Sequence, residues 1–164
     1  MKKYLTMLLV CSMFLFPMVS ASSWVNTYGE LSLTEKNPND WSVVENGANG
    51  LVEFSLISRF GTIVQERVKV SVWGLEPKTD YQLIYYGDSE HNDVWNYATC
   101  IGKERKTSTN GYFKGNSVSL PYLEMMNDEV AQKLWVVKSS DVDCLEGKMI
   151  AWQPTEYLFE SNTI

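Results

Sequence analysis

Residues 68–88 read VKVSVWGLEPKTDYQLIYYGD, and this stretch decides the fold class. Val68, Val70 and Val72 occupy alternate positions, which is the period-two pattern of a strand with one buried face. Pro77 fixes its own backbone angle and disfavours helix at the residue before it, so the chain turns there. The run after the turn is aromatic and β-branched and is too short for a stable helix. The stretch therefore predicts two strands that supply enough apolar side chains to start a core.

The turn carries a spaced pattern formed by Leu75, Pro77, Thr79 and Tyr81. This pattern resembles the tyrosine corner that precedes a late strand in fibronectin type III and other immunoglobulin-like sandwiches. In that corner the tyrosine hydroxyl hydrogen-bonds back to the backbone just upstream. The whole chain also resembles small uncharacterised secreted β-sandwich proteins of archaea and bacteria. These resemblances imply a sandwich fold and export, and they imply no particular activity.

Further strand-like runs follow at the spacing expected of a sandwich. Asn110 and Gly111 predict a tight hairpin, because both residues tolerate the positive backbone angles of such a turn. That turn also resembles one between strands of transthyretin-like sandwiches. Residues 123–132 are the only helical candidate. We therefore expect an all-β fold, an immunoglobulin-like or transthyretin-like β-sandwich with at most one short helix.

The first 21 residues have the pattern of a secretory signal peptide. Lys2 and Lys3 precede an apolar run, and small residues at 19–21 suit cleavage. A retained membrane anchor and a lipidated Cys11 are the alternatives. After cleavage we expect residues 22–49 to form an N-terminal arm or edge strands and residues 50–164 to form the sandwich domain. The protein is then secreted or held at the cell surface, with no membrane insertion.

The charge of the chain excludes several classes of partner. Its net charge is −6, and no cluster of basic residues is present. This composition argues against binding nucleic acid or anionic membrane surfaces. It favours the binding of cations, or it serves only to keep the protein soluble. The single histidine excludes a three-histidine zinc site.

The cysteines predict one disulfide bond. Cys11 leaves with the signal peptide, and Cys100 and Cys144 remain. Two cysteines in an exported chain pair by default, because the compartment is oxidising. The alternative, a metal site built on both cysteines, has no histidine near either residue.

Acidic residues in two loops have the oxygen ligands that calcium prefers. In residues 87–93 they fall at nearly alternate positions, as in calcium loops. A second acidic loop surrounds Cys144, which the disulfide would tie to the strand after the first loop. The alternative is that both loops are merely solvated. The candidate calcium ligands are Asp88, Glu90, Asp93, Asp141 and Asp143.

The aromatic residues divide into candidates for the core and candidates for ligand stacking. Four tryptophans lie in or beside strand-like runs and are expected mainly in the core; these are Trp73, Trp95, Trp135 and Trp152. Four other rings could form an exposed platform for a carbohydrate or another partner; these are Trp24, Trp41, Tyr97 and Tyr112.

No catalytic motif is present, so we do not expect an enzyme, and no cofactor is expected apart from possible calcium. The sequence predicts a secreted or cell-surface non-catalytic binding module whose partner is an extracellular protein or glycan. Two alternatives remain open. One is a secreted hydrolase that works with carboxylates, and the other is a structural component of the cell envelope held by calcium.

Overall fold

The computed structural model describes residues 23–59, 62–86, 97–115, 118–120 and 133–160. Within these ranges the chain forms strands and short 3₁₀ turns but no α-helix, which confirms the all-β prediction. The helix predicted at 123–132 and the signal peptide lie outside the described residues. In the described part of the chain, no helix is long and apolar enough to cross a membrane. The strands are β1 (Ser23–Thr34), β2 (Asn49–Arg59), β3 (Thr62–Trp73), β4 (Asp80–Tyr86), β5 (Ala98–Lys106), β6 (Phe113–Lys114), β7 (Val118–Leu120), β8 (Lys133–Lys138), β9 (Val142–Asp143), β10 (Lys148–Met149) and β11 (Leu158–Glu160).

Nine of these strands form one antiparallel sheet. Its order is β5-β4-β8-β11-β1-β2-β3-β6, and β7 also pairs with β3. Strands β9 and β10 form a separate two-stranded sheet. Residues 22–49, expected as an arm or as edge strands, contribute β1, which lies between β11 and β2. Its partner β11 comes from the other end of the chain, a pairing that local sequence patterns do not show.

One face of the large sheet encloses the main hydrophobic core. The valines at 68, 70 and 72 are all buried there, as their alternation predicts. Strands from both ends of the sheet contribute to this core, so the sheet curves around it. For example, Tyr81 of β4 and Phe113 of β6 lie near opposite ends of the strand order, and their rings stack with centroids 6.5 Å apart. The assignment to an immunoglobulin-like or a transthyretin-like sandwich stays a prediction. The largest fully buried side chains of the main hydrophobic core are Leu33, Val52, Val68, Val72, Tyr81, Leu134, Val136 and Leu158.

The turn between β3 and β4 is tied to the chain that follows β5. The Thr107 hydroxyl donates to the carbonyl of Glu76 at 2.6 Å and accepts the N–H of Thr79 at 3.0 Å. The Tyr81 hydroxyl accepts the N–H of Glu76 at 3.4 Å. Gly111 has φ +67°, and a Cβ there would lie 1.9 Å from the carbonyl oxygen of Leu75. These contacts hold the turn between β3 and β4 against the connection between β5 and β6.

The turn at Asn110 and Gly111 is not a hairpin between paired strands, so that prediction was wrong. Only Gly111 of the two residues has a positive φ angle. Strand β5 before the turn pairs with β4, and β6 after it pairs with β3. The dipeptide specifies a tight turn, but the partners of the flanking strands are set by the packing of the whole sheet.

A second core covers the opposite face of β4, β8 and β11. The β9–β10 hairpin packs over it, and Cys100 on β5 is bonded to Cys144 in the turn of that hairpin. The predicted disulfide is therefore present, with a Cα–Cα distance of 5.5 Å, and it fastens the hairpin to the large sheet. The buried members of this second core are Ile84, Ala98, Trp135, Val137, Val142, Met149, Tyr157 and Phe159.

Candidate functional site

Two half-exposed tryptophans lie side by side on the second core. The ring centroids of Trp41 and Trp152 are 6.4 Å apart, and their planes are inclined by 39°. The two side chains are 48% and 49% exposed. Both rings contact the buried ring of Phe159, at centroid distances of 5.2 and 6.1 Å. We call the solvent-facing sides of Trp41 and Trp152 the aromatic surface.

The base of the aromatic surface is a close-packed set of rings. Trp135 of β8 lies 5.5 Å from Trp152 and 5.1 Å from Phe159 between centroids. Tyr86 stacks on Trp135 at 3.9 Å, and Tyr157 meets Trp152 edge-on at 5.7 Å. Edge-to-face and offset contacts of this kind add to the free energy gained from burial. The exposed rings therefore stand on a rigid base.

Trp41 is held by an ordered turn in the connection between β1 and β2. Its φ angle is +59°, a left-handed conformation that costs most residues about 1–2 kcal/mol. Its N–H donates to the carbonyl of Asn37 at 2.8 Å. The hydroxyl and N–H of Ser42 donate to the Asp40 carboxylate at 2.7 and 3.0 Å, and these bonds lower the pKa of Asp40. The exposed ring thus projects from a fixed backbone.

Trp152 is held by a buried polar network centred on Asp141. The N–H groups of residues 150–151 donate to the main-chain oxygen of Asp141 at 2.8 and 3.2 Å. The Tyr157 hydroxyl donates to the Asp141 carboxylate at 2.6 Å and accepts the N–H of Gln153 at 3.0 Å. Burial and the bond to Asp141 raise the pKa of Tyr157. The segment that carries Trp152 is therefore fixed on both sides of the ring.

A buried carboxyl group lies at the end of β11, on Glu160. Glu160 is 5% exposed and follows Phe159, which pairs with Trp135 across β11 and β8. Burial raises the pKa of Glu160, while its own N–H, Lys133, Lys36 and the Trp135 indole oppose that rise. The indole is near enough to favour the charged form. Nevertheless, neither its Nε1 nor the Glu160 Oε2 makes a hydrogen bond of standard geometry with the residues described.

The structure brings one of the four predicted stacking residues, Trp41, to the aromatic surface. The ring of Tyr112 instead pairs with Trp73, with centroids 5.6 Å apart. Tyr97 is half-buried and forms a backbone bridge to β10. The side chain of Trp24 is outside the described part of the chain. A stacking role for any of these rings stays a prediction.

Two tryptophans assigned mainly to the core are half-exposed, so that expectation needs correction. Trp73 ends β3 and is 44% exposed, and Trp152 follows β10. Strand-like sequence places a ring beside a sheet, but a ring at the end of a strand is buried only if another segment covers it. Trp135 is buried as expected, and Trp95 is outside the described residues.

The predicted calcium ligands in the second acidic loop make contacts inside the protein. The Asp141 carboxylate accepts hydrogen bonds from the hydroxyls of Tyr157 and Ser140. The Asp143 carboxylate accepts the N–H groups of residues 145–146 at 2.9 and 3.0 Å. No group of three or more suitable metal ligands occurs in the described ranges. The other three candidates, Asp88, Glu90 and Asp93, lie outside those ranges, so the calcium site stays a prediction.

A polar cleft of about 140 Å³ is lined by three glutamates, Glu35, Glu76 and Glu156. Lys138 of β8 bridges two of them, at 2.8 Å from Glu76 and 2.6 Å from Glu156. The hydrogen bonds that Lys138 donates to Glu156 and then to Glu76 raise the pKa of Lys138. The Glu35 carboxylate accepts the N–H of Ala48 at 2.8 Å. All three acids thus hold neighbouring parts of the fold together.

Among the described residues, the aromatic surface is a pair of exposed rings whose exposure the packing of the fold does not explain. No protein-family model, curated protein or solved structure matches this chain.

Proposed function

We propose that the chain is an exported, non-catalytic interaction module that binds a protein partner at the cell surface through the aromatic surface. The observation that carries this proposal is the half exposure of Trp41 and Trp152 on a rigid aromatic base. Tryptophan is enriched at the centres of protein interfaces, because it buries a large area and loses little conformational entropy. The disulfide and the predicted signal peptide support export.

Aliphatic neighbours favour a protein over a glycan as the partner. Val43 and Ile150 each lie two residues from one of the tryptophans and are 55% and 58% exposed. Asp40 and Gln153, which flank the tryptophans in sequence, already make hydrogen bonds within the protein. A saccharide needs free polar groups for its hydroxyls, whereas apolar side chains of a protein do not.

The acidic cleft gives less support to a carboxylate-dependent hydrolase. Such an enzyme uses one carboxyl group as an acid and another as a base or nucleophile. In this cleft Glu76 and Glu156 share Lys138, and Glu35 holds a backbone N–H. These contacts suit a structural role. A calcium titration with and without EDTA would test the remaining alternative, a calcium-held envelope component.

Co-sedimentation with washed cell envelopes of the producing organism tests the proposal. We expect the wild-type protein to pellet with the envelopes, and Trp152→Ser to bind them at least about tenfold more weakly. Trp73→Ser is the matched control, because it removes a half-exposed tryptophan outside the aromatic surface and should bind normally. Protease treatment of the envelopes should abolish binding, whereas periodate oxidation of their glycans should not.

Equal binding by the wild-type protein and Trp152→Ser would overturn the proposal. Sensitivity to periodate but not to protease would replace the protein partner with a glycan. Release of soluble product from the envelopes during incubation would favour the hydrolase instead.

A further inference from the structure

Three asparagines of the chain are followed directly by glycine, and all three lie within the described residues. They are Asn46, Asn49 and Asn110. Such a pair is open to spontaneous deamidation, because glycine has no side chain to shield its backbone nitrogen from the neighbouring amide. The reaction bends the main chain locally, so it requires a glycine whose backbone can move. The surroundings of the three glycines therefore decide which asparagine reacts.

Two of the glycines are held by packed backbone. Gly50 lies inside β2, where it pairs with Leu33 of β1 and Val72 of β3. A Cβ on Gly50 would lie only 2.4 Å from Cγ1 of Val72. At Gly111 a Cβ would meet the carbonyl oxygen of Leu75, and the N–H of Leu75 donates to the Gly111 carbonyl at 3.1 Å. Neither backbone nitrogen can move without breaking a strand ladder or displacing another connection.

Gly47 has looser surroundings in the connection between β1 and β2. The three atoms nearest to a Cβ placed there all belong to side chains, with Glu35 Oε2 at 2.8 Å and the Cβ of Val44 at 3.0 Å. Asn46 is exposed and has φ +60°, a left-handed conformation that is less stable than the right-handed one for every residue except glycine. Asn46 and Gly47 are therefore the pair whose backbone rearranges most easily.

We propose that Asn46 is a site of spontaneous deamidation, and that the isoaspartate formed there loosens the connection that carries Trp41. The backbone nitrogen of Gly47 loses its proton to solvent base and bonds to Cγ of Asn46, and the side-chain nitrogen leaves as ammonia. Water then opens the cyclic imide. Attack at Cγ gives aspartate, whereas attack at the main-chain carbonyl gives isoaspartate, whose main chain runs through the former side chain.

Isoaspartate lengthens the main chain by one methylene group inside a hydrogen-bonded turn. The N–H of Gly47 donates to the carbonyl of Val44 at 3.1 Å. The N–H of Val44 donates to the main-chain oxygen of Glu35 at 3.0 Å, and the N–H of Ala48 donates to the Glu35 carboxylate at 2.8 Å. The added methylene lies between Val44 and Ala48, so the three bonds cannot all keep their geometry. Trp41 belongs to the same connection.

Peptide mapping by mass spectrometry, after ageing in mildly alkaline buffer, tests the modification. We expect Asn46 to deamidate at least about fivefold faster than Asn49 and Asn110 in the folded protein. In urea the three should react at similar rates, because each is followed by glycine. Asn46→Gly is the control: it tolerates the positive φ angle and should show no mass gain at this position. Equal rates in the folded protein, or a faster Asn110, would overturn the inference.

Hydrogen exchange tests the loosening of the connection. We expect the N–H groups of Val44 and Ala48 to exchange at least about fivefold faster in the isoaspartate fraction than in fresh protein. Asn46→Asp adds the negative charge without lengthening the main chain, and should exchange like the fresh protein. Unchanged exchange in the isoaspartate fraction would overturn the loosening.

The effect on binding rests on the proposed function and is tested by envelope co-sedimentation. We expect the isoaspartate fraction to bind more weakly than Asn46→Asp, because only the former alters the backbone that supports Trp41. Equal binding would overturn the effect on the aromatic surface while leaving the proposed function intact. If fresh protein does not bind envelopes, the proposed function fails, and peptide mapping still decides the modification.

Discussion

The phenolic hydroxyl of Tyr157 donates a 2.6 Å hydrogen bond to the carboxylate of Asp141, and both residues are buried. The same hydroxyl accepts the N–H of Gln153. Asp141 ends the 3₁₀ turn that follows β8, whereas Gln153 adjoins Trp152. This one contact therefore links the large sheet to the segment that carries half of the aromatic surface.

Removing the Tyr157 hydroxyl should destabilise the protein. In Tyr157→Phe the Asp141 carboxylate loses its shortest hydrogen bond in a buried site, and we expect the free energy of unfolding to fall by about 1–3 kcal/mol. Urea unfolding followed by circular dichroism measures this change. Tyr112→Phe, which alters a half-buried tyrosine paired with Trp73, is the control. A loss below about 0.5 kcal/mol in Tyr157→Phe would show that the network is dispensable.

Removing the disulfide should destabilise the fold more strongly. Cys100 and Cys144 are 44 residues apart, and a cross-link closing such a loop stabilises by about 4 kcal/mol on the chain-entropy estimate. We expect Cys100→Ala/Cys144→Ala to lose about this much in urea unfolding. Hydrogen exchange at the amides of residues 150–151 should also accelerate, because the hairpin is no longer fastened. A reducing agent should reproduce the loss in the wild-type protein and leave the double variant unchanged; any other pattern contradicts the prediction.

The partly buried ion pairs of Lys138 should contribute more to the free energy of unfolding than an exposed ion pair does. The Lys138 side chain is 16% exposed and contacts both Glu76 and Glu156. We expect Lys138→Gln to lower the free energy of unfolding by about 1–3 kcal/mol, because a largely buried cation is lost and Glu156, whose side chain is only 34% exposed, loses its partner. Lys106→Gln breaks an exposed pair with Asp80 and should cost less than about 0.5 kcal/mol. Equal effects in urea unfolding would refute the distinction.

Glu160 should make stability fall as the pH rises. Its pKa in the folded protein is raised above 4.5, so above that pH the unfolded chain loses a proton that the folded chain still binds. The resulting stabilisation is complete below pH 4.5 and is lost as the pH rises through the folded pKa. We expect Glu160→Gln to gain stability relative to the wild-type protein as the pH rises above 4.5. Urea unfolding of both proteins at several pH values measures this difference, and a constant difference would contradict the assignment.

Several of the strands were predictable from sequence, but their arrangement was not. The alternation of Val68, Val70 and Val72 predicts which side chains of the strand are buried. This pattern is visible within a few residues of sequence. The pairing of β1 with β11 joins residues such as Leu33 and Glu160, which are far apart in sequence. The turn at Gly111 likewise predicts a reversal of the chain but not the partner of each flanking strand.

The candidate site was predictable only in part, for a related reason. Trp41 could be proposed as exposed because it lies in an irregular, polar segment. Trp152 was assigned to the core because it adjoins strand-like sequence. Its exposure depends on where the contact between Tyr157 and Asp141 holds the segment, which is a tertiary feature. The proline two positions after Trp152 was the one local sign that the strand ends before the ring is covered.

Hydroxyl-radical footprinting with mass spectrometry tests the central claim most directly, because it reports on each tryptophan of the unmodified protein. The protein is oxidised alone and when bound to washed envelopes. We expect binding to protect Trp41 and Trp152, while Trp73, which is similarly exposed, is oxidised equally in both samples. Protection of Trp73 with continued oxidation of Trp41 and Trp152 would contradict the claim that the aromatic surface contacts the partner.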